Sequence, residues 1–326
     1  LVAIDHALDT LHLIFTPSPG RLLSESHDSL AREGRSRLAE LEHRLTTPID
    51  PFITSPSLLT PHFPEANQAR ADYVGRVQQC QALIGSGDIY QANLSHRFSI
   101  NLDQSAGHST QETGQALYSR RRHVNPSPFS ALLVTERLAL GASSPYMLVQ
   151  LRDNRASTRP IAGTRPRGLT APEDRQFIAD LLKNKKERAE HLMLVDLARN
   201  DLGRVSEYGS VQVDEFMTVE QYSHVAHLVS DVSGNLQPTC SAQDLIRAVF
   251  PGGTITGVPK IRCMEIIEEL EPVRRGPYTG SIGYISWTGD MDLNIIIRTL
   301  LLSQDRAYLQ VGAGIVADSQ PDLEYA

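Results

Sequence analysis

Two acidic segments far apart in the chain could supply oxygen ligands for a divalent cation. Glu187 and Glu190 lie three residues apart in a stretch that predicts a helix, so both carboxylates project from one face. Glu324 belongs to a second acidic segment near the end of the sequence. Hard cations such as Mg²⁺ prefer oxygen ligands of this kind. Spacing alone favours a simpler alternative, in which Glu187 and Glu190 form the solvated face of an amphipathic helix.

Other segments could bind an anion. The loop at 251–257 offers backbone N–H groups and the hydroxyl of Thr254 at a predicted helix start. Arg298 interrupts an apolar run, where a charge is costly unless it is paired. Gly312 and Gly314 would let a ligand approach a strand closely. Each segment has a structural alternative: a turn with a helix cap for the loop, a buried ion pair for the arginine and a bulge for the glycines.

Together, the two kinds of segment predict one pocket that binds a small carboxylate substrate with Mg²⁺. Mg²⁺ usually takes part of its oxygen ligands from a substrate. Thr254, Arg298 and the glycine amides would supply the anion-binding donors, and the glutamates would supply the metal ligands.

Composition restricts the class of protein. The chain has 326 residues, of which 40% are hydrophobic and 21% are charged, as is typical of globular proteins with a large core. Its net charge of −7 argues against nucleic acid or an anionic membrane as the main partner, and no apolar run has transmembrane length. The three cysteines are widely spaced without a CxxC pair, which predicts reduced thiols and a cytoplasmic location. We expect both ends to be trimmed, because the chain begins at Leu1 without Met and stops directly after a structured segment.

The sequence divides into two regions whose predicted helices and strands would position the candidate site residues. Residues 1–65 predict an N-terminal segment with a strand at 11–15, a charged helix at 29–45 and a proline-rich linker at 46–66. Residues 66–326 predict a larger domain. Its helices are expected at 69–85, 172–197 with a break near Asn184, 242–249 and 259–270. Its strands are expected at 89–100, 130–135, 138–142, 147–152, 211–216, 225–230, 280–286, 293–302, 307–311 and 315–317, with a loop at 158–167. Because helices and strands mix without a regular βαβ rhythm, we expect an α+β fold with substantial antiparallel sheet.

Longer runs of the sequence are similar to the chorismate-utilising enzymes. The resemblance covers about residues 66–326 in unbroken order, in runs at 87–95, 159–165, 186–201, 251–260, 276–284, 291–300 and 312–324. The family comprises anthranilate synthase component I, aminodeoxychorismate synthase component I, isochorismate synthase and salicylate synthase. The resemblance implies an α+β sandwich of two large antiparallel sheets, with helices packed outside and the active site between the sheets.

The resemblance also implies a role for each candidate site residue. In the family, Mg²⁺ and the ring carboxylate of chorismate are held by glutamates that match Glu187, Glu190 and Glu324, and a further family glutamate would lie beyond the end of this sequence. Tyr278 and Arg298 would hold the enolpyruvyl carboxylate, Arg298 with two parallel hydrogen bonds. The implied substrate-binding residues are Thr254, Gly257, Tyr278, Arg298, Gly312 and Gly314. The implied catalytic positions are Gln91, Tyr146, Ala162, Thr164 and His227.

Several positions separate the branches of the family. Gln91 stands where the hydroxylating members carry a lysine that activates water, which favours the amine-transferring branch. Ala162 stands where many aminodeoxychorismate synthases carry a lysine that attacks the ring, whereas anthranilate synthases have alanine. The runs around Asn93, Thr279 and 291–294 look more like aminodeoxychorismate synthase component I. We therefore expect amination of chorismate at C4 for p-aminobenzoate and folate biosynthesis, with ammonia from a separate glutamine amidotransferase subunit. The alternative is anthranilate synthase component I, which makes anthranilate for tryptophan biosynthesis.

Tyr146 departs from the family pattern. In the matching Ser-Pro-Glu segment of the family, the glutamate would be the general acid for the departing C4 hydroxyl. A phenol, with a reference pKa of about 10, is a weak acid catalyst at neutral pH. A third hypothesis is therefore a catalytically weakened chorismate-binding partner subunit.

Overall fold

The chain forms two compact units, Leu1–Pro56 and Ser57–Ala326. The computed structural model describes residues 1–5, 7–47, 64–102, 109–221, 225–303 and 306–325. Most of the proline-rich linker predicted at 46–66 lies outside the described residues.

The smaller unit is a strand pair followed by two helices. Its elements are β1 (Val2–Asp5), β2 (Thr10–Leu13), α1 (Pro19–Ser24) and α2 (His27–Thr46). The two strands are antiparallel. The Ser26 hydroxyl accepts a backbone hydrogen bond at the start of α2, which gives the helix an N-cap. The strand predicted at 11–15 and the helix predicted at 29–45 are confirmed, with small shifts of their ends.

The larger unit consists of two antiparallel sheets and the helices that cover them. Its strands are β3 (Glu65–Ala66), β4 (Gln91–Asn101), β5 (Phe129–Val134), β6 (Leu138–Ser144), β7 (Met147–Arg152), β8 (Arg155–Thr158), β9 (Ile161–Pro166), β10 (Gln212–Gln221), β11 (Val225–Asn235), β12 (Gly257–Val258), β13 (Gly283–Ile285), β14 (Met291–Asn294), β15 (Thr299–Ser303) and β16 (Arg306–Ile315). Its helices are α3 (Arg70–Gly85), α4 (Thr110–Val124), α5 (Ala171–Lys183), α6 (Lys185–Gly203), α7 (Ala242–Val249), α8 (Lys260–Leu270) and α9 (Pro321–Glu324).

Among the described residues, each sheet has seven strands. The first sheet has the order β10-β11-β8-β7-β14-β13, with β9 also paired to β11. The second sheet has the order β12-β4-β16-β15-β6-β5, with β3 paired to β4. The pairs described in both sheets are antiparallel. The predicted α+β class with two large antiparallel sheets is therefore confirmed.

Three clusters of buried apolar residues lie in the described part of the larger unit, and the two larger ones fix four of the helices on the sheets. On the first sheet, α6 and α7 pack through Val195, Leu202 and Leu245, which are at most 2% exposed. On the second sheet, α3 and α8 pack on β4 through Tyr73, Val77, Cys263 and Ile266. Burying one such side chain stabilises a fold by about 1.5–3 kcal/mol. No helix in the described part of the chain is long and apolar enough to cross a membrane.

Asn184 produces the break that was expected in the helical region at 172–197. Its backbone ends α5, and its side-chain oxygen accepts the N–H of Glu187 at 3.1 Å to begin α6. This cap fixes where α6 starts, and therefore which face of the helix carries Glu187 and Glu190.

The predictions for three segments are wrong, and contacts between distant parts of the chain explain each case. Residues 158–167, expected as a loop, contain β9, which pairs with β11. Residues 293–302, expected as one strand, are divided into β14 and β15, and Arg298 between them has a left-handed φ of 46°. Residues 307–311 and 315–317 were expected as two strands, but one continuous strand, β16, runs through 306–315 and pairs with β4 as far as Ile315, where it ends.

The helix α4 was not expected from the sequence. Ser109 and Glu112 form a capping box at its start, a pattern that the sequence does contain. The helix carries Arg121, which contacts the site described next.

Candidate active site

A cavity of about 380 Å³ is lined by residues of both sheets of the larger unit. The first sheet contributes β9, and the second sheet contributes β4 and β16. The predicted residues that line the cavity are Gln91, Tyr146, Ala162, Glu190, Thr254, Tyr278, Arg298, Gly312 and Gly314. The predicted residues outside its lining are Thr164, Glu187, His227, Gly257 and Glu324. The fold therefore assembles most of the candidate site in one place.

Arg298 supplies the positive charge of the cavity. Its backbone carbonyl accepts hydrogen bonds from the Ser143 N–H at 3.2 Å and from the guanidinium of Arg121. These donors hold the left-handed backbone in which Arg298 interrupts the strand. In the described part of the chain, no acidic side chain forms an ion pair with Arg298. The structural alternative of a buried ion pair is therefore not found, and the charge is available to an anionic ligand.

Gly312 and Gly314 leave room beside the polar side chains of the cavity. A Cβ at Gly312 would lie 2.6 Å from Asn93 Oδ1 and 2.7 Å from the Tyr278 hydroxyl. A Cβ at Gly314 would lie 2.7 Å from Gln91 Nε2. Both glycines lie in the regular register between β16 and β4, so the bulge alternative is wrong.

Gly257 has a different role from the other glycines. It pairs with Ala92 at the edge of the second sheet, with a φ of 139° that favours glycine. A Cβ there would lie 2.2 Å from the backbone oxygen of Gln91. Gly257 thus holds the loop against β4, while Thr254 of the same loop lines the cavity.

Gln91 and Asn93 are buried polar residues in the cavity wall. Among the described residues, Gln91 Oε1 and Asn93 Oδ1 have no hydrogen-bond partner. Leaving a buried acceptor unpaired costs about 1–3 kcal/mol, so a ligand that donates hydrogen bonds is favoured here. Asn93 was not among the residues singled out for a role, although it belongs to the run at 87–95.

Tyr146, His227 and Thr164 lie together beside β9. The rings of Tyr146 and His227 meet edge to face, with centroids 6.4 Å apart. His227 Nδ1 lies 3.0 Å from the Thr164 hydroxyl oxygen and 3.3 Å from the Gly163 carbonyl oxygen. Burial lowers the pKa of His227, which keeps the imidazole neutral at neutral pH. Burial raises the pKa of Tyr146, although the charge of Arg298 opposes this shift.

The three glutamates belong to the α6 and α9 side of the site. The side chains of Glu187 and Glu190 are 21% and 26% exposed, so the alternative of a fully solvated face is wrong. Glu187 pairs with Arg165 at 3.0 Å, and Glu190 lies 3.8 Å from Lys186. Burial raises the pKa of Glu190, the Lys186 charge lowers it, and the charges of Glu187 and Glu324 raise it further.

A cation at these carboxylates would need further oxygen ligands from a bound substrate. Among the described residues, no group of three or more Asp, Glu, His or Cys side chains could hold a metal ion unaided. The charges of Glu187 and Glu324 nevertheless both act on Glu190, and like charges are relieved by a divalent cation. Mg²⁺ commonly uses one or two carboxylates together with substrate oxygens.

Comparison with known proteins identifies the family to which the chain is similar. The family model for chorismate binding enzymes matches residues 5–326. The chain is 53% identical over 249 residues to aminodeoxychorismate synthase component 1 of Bacillus subtilis, covering 76% of this chain and 51% of the relative. It is 40% identical over 331 residues to anthranilate synthase component 1 of Acinetobacter calcoaceticus, covering 100% of this chain and 63% of the relative.

A solved structure shows the same fold. The crystal structure of anthranilate synthase component I from Streptococcus pneumoniae matches with a TM-score of 0.81 and 37% identity, covering 99% of this chain and 69% of that one. The chain thus spans about half to two thirds of the length of these proteins.

Proposed function

We propose that this chain, which belongs to the chorismate binding enzyme family, is the chorismate-aminating part of an aminodeoxychorismate synthase. Chorismate and ammonia would give 4-amino-4-deoxychorismate and water. The observation that carries the proposal is a single cavity that combines Arg298, which lacks an acidic partner among the described residues, with the half-buried Glu190. Such a cavity suits a substrate with two carboxylates, one of them bridged to a cation.

Different residues of the cavity would bind different groups of the substrate. Arg298 would bind the enolpyruvyl carboxylate with its planar guanidinium, and the Tyr278 hydroxyl would donate a further hydrogen bond. Gly312 leaves the space that this carboxylate needs. Glu187 and Glu190, with Glu324, would hold Mg²⁺, which supplies positive charge to the ring carboxylate.

Amination, rather than hydroxylation, is supported by the residue types in the wall. Gln91 is neutral and cannot act as a lysine base toward water, whereas its buried Oε1 can accept a hydrogen bond from ammonia. Ala162 has no amine for covalent attack on the ring. Ammonia would therefore attack C4 directly while the C4–O bond breaks, and the hydroxyl would leave as water with a proton from the site. A glutamine amidotransferase partner in the cytoplasm would supply the ammonia.

Two other functions have specific support. Anthranilate synthase component I is supported by Ala162 and by the similarity to proteins of that name. A catalytically weakened chorismate-binding partner is supported by Tyr146, whose raised pKa makes the phenol a still weaker acid.

One assay separates the three functions. The full-length protein is incubated with chorismate, Mg²⁺ and an ammonium salt, and the products are identified by liquid chromatography and mass spectrometry. We expect 4-amino-4-deoxychorismate. Anthranilate with pyruvate would establish the second function instead, and chorismate binding without turnover would establish the third. Arg298→Ala is the control that shows whether any product depends on this cavity.

A further inference from the structure

Arg275 lies directly behind the cavity and connects several parts of its wall. Its Nη2 donates to the Asn93 carbonyl at 2.6 Å, and its Nη1 donates to the Ile255 carbonyl at 2.7 Å. Its guanidinium lies over the ring of Tyr278, 5.7 Å from the centroid. Asn93, Ile255 and Tyr278 all line the cavity, whereas Arg275 does not.

Glu271 holds Arg275 in this position. Its carboxylate accepts from Arg275 Nε at 2.9 Å and from Nη2 at 2.7 Å, as a bidentate pair. The same carboxylate accepts the Ser95 N–H at 2.8 Å, which ties the pair to β4. The side chains of Glu271 and Arg275 are only 5% and 14% exposed. A desolvated ion pair is favourable only when its geometry and its other hydrogen bonds are good, and here both conditions are met.

The pair therefore links three segments that are distant in sequence. These are β4, the turn at Gly253–Ile255, and the loop that carries Tyr278. The planar guanidinium reaches two carbonyl oxygens and one ring at once, which a lysine ammonium cannot do. We propose that Arg275, oriented by Glu271, is a positioning residue that fixes Asn93, Ile255 and Tyr278 in the geometry that binds substrate.

The proposal rests on the proposed chorismate site and is tested first by affinity. Chorismate binding in the presence of Mg²⁺ is measured by calorimetry for the wild type, Arg275→Lys and Glu271→Gln. A displacement of about 1 Å in a binding wall can cost up to about a hundredfold, so we expect 10- to 100-fold weaker binding for Arg275→Lys and a smaller loss for Glu271→Gln. Arg274→Lys is the matched control, because Arg274 is the neighbouring residue and its side chain is 91% exposed.

A double-mutant cycle separates positioning from a general loss of stability. Tyr278→Phe is measured in the wild type and in Arg275→Lys. If Arg275 acts through Tyr278, Tyr278→Phe weakens chorismate binding less in the Arg275→Lys protein than in the wild type. The losses of affinity caused by the two substitutions are then not additive. Additive losses would contradict an action through Tyr278.

Hydrogen exchange tests the same role without chorismate. We expect faster amide exchange in the segments 91–95, 254–258 and 276–280 of Arg275→Lys, with no change in Arg274→Lys. Unchanged amide exchange in these segments of Arg275→Lys would overturn the proposal. Faster exchange together with unchanged chorismate affinity would overturn it as well. If Arg275→Lys does not fold, chorismate affinity and amide exchange are both measured in Glu271→Gln instead. A wild type that binds no chorismate would refute the proposed function, and the exchange result would still decide whether Arg275 positions the wall.

Discussion

The Arg298 wall of the cavity (Tyr278, Arg298 and Gly312) and the acidic wall beside it (Glu190, which lines the cavity, with Glu187 and Glu324 outside the lining) are held in different ways. Arg298 is fixed through its backbone carbonyl, and Tyr278 packs on the buried Arg275. The acidic wall instead depends on partly exposed ion pairs, such as Arg165 with Glu187 and Lys186 with Glu190. Ion pairs of this kind contribute about 0–1 kcal/mol.

This difference indicates which wall contributes more to substrate recognition. The backbone of Arg298 and the ring of Tyr278 are held before binding, so the Arg298 wall needs less reorganisation when a carboxylate arrives. The acidic wall places like charges near one another, and under the proposed function a cation would relieve their repulsion. We therefore expect substitutions near Arg298 to have larger effects than substitutions among the glutamates.

The largest effect is expected at Tyr146, which places a phenol beside Arg298 where the proposed reaction needs an acid. Burial raises the pKa of this phenol, so it donates a proton poorly at neutral pH. A positioned general acid contributes about 10²–10⁴-fold to a rate, so Tyr146→Glu should raise the initial rate of chorismate amination at least about a hundredfold. Tyr146→Phe keeps the ring and should leave the rate unchanged. Equal rates for Tyr146→Glu and the wild type would show that proton donation is not limiting.

A somewhat smaller effect is expected when the charge of the Arg298 wall is removed. Arg298→Ala should weaken chorismate binding by about 3 kcal/mol, roughly a hundredfold, because a buried charge-assisted pair is lost. Arg152→Ala is the matched control, since its side chain is 65% exposed. Calorimetry with Mg²⁺ present measures both. An Arg298→Ala protein with wild-type affinity would contradict the role of this wall.

Filling space in the same wall should cost less than removing its charge. Gly312→Ala would bring a methyl group within 2.7 Å of the Tyr278 hydroxyl and displace that side chain. Overpacking costs about 1–3 kcal/mol, so chorismate affinity should fall about tenfold. The control is Gly75→Ala in α3, where nothing lies within 4 Å of the added Cβ. It should leave affinity unchanged, and an equal loss in both variants would contradict the steric explanation.

The sequence could predict many of the residues that line the cavity, but not those that hold the lining in place. Residues such as Arg298 and Gly312 lie in runs that resemble the family, and Asn184 marks the start of α6 by its own chemistry. Arg275 and Arg121 act on backbone carbonyls 182 and 177 residues away, at Asn93 and Arg298. No spacing rule connects such partners, because a carbonyl oxygen is the same in every residue type.

The wrongly predicted elements have the same physical origin. The segment 158–167 reads as a loop because it contains proline and glycine, and Gly163 does adopt a φ of 74°. Pairing with β11 nevertheless makes Ile161–Pro166 a strand and brings Thr164 beside His227. The run at 293–302 reads as one strand because it is apolar, whereas contacts with Ser143 and Arg121 turn the chain at Arg298. Partners distant in sequence decided both outcomes, against the local pattern.

The smallest effect is expected at the acidic wall, and it tests whether that wall depends on a cation. Removing Mg²⁺ with EDTA should weaken chorismate binding by the wild type roughly fivefold, which corresponds to a coupling free energy of about 1 kcal/mol. In Glu190→Gln the effect of EDTA should be smaller, because one of the carboxylates that would hold the ion is neutral. Asp196→Asn is the control on the same helix, with a side chain that is 65% exposed, and it should respond to EDTA as the wild type does. If EDTA weakens binding equally in all three proteins, the cation does not act through Glu190, and the acidic wall would then be a structural part of α6.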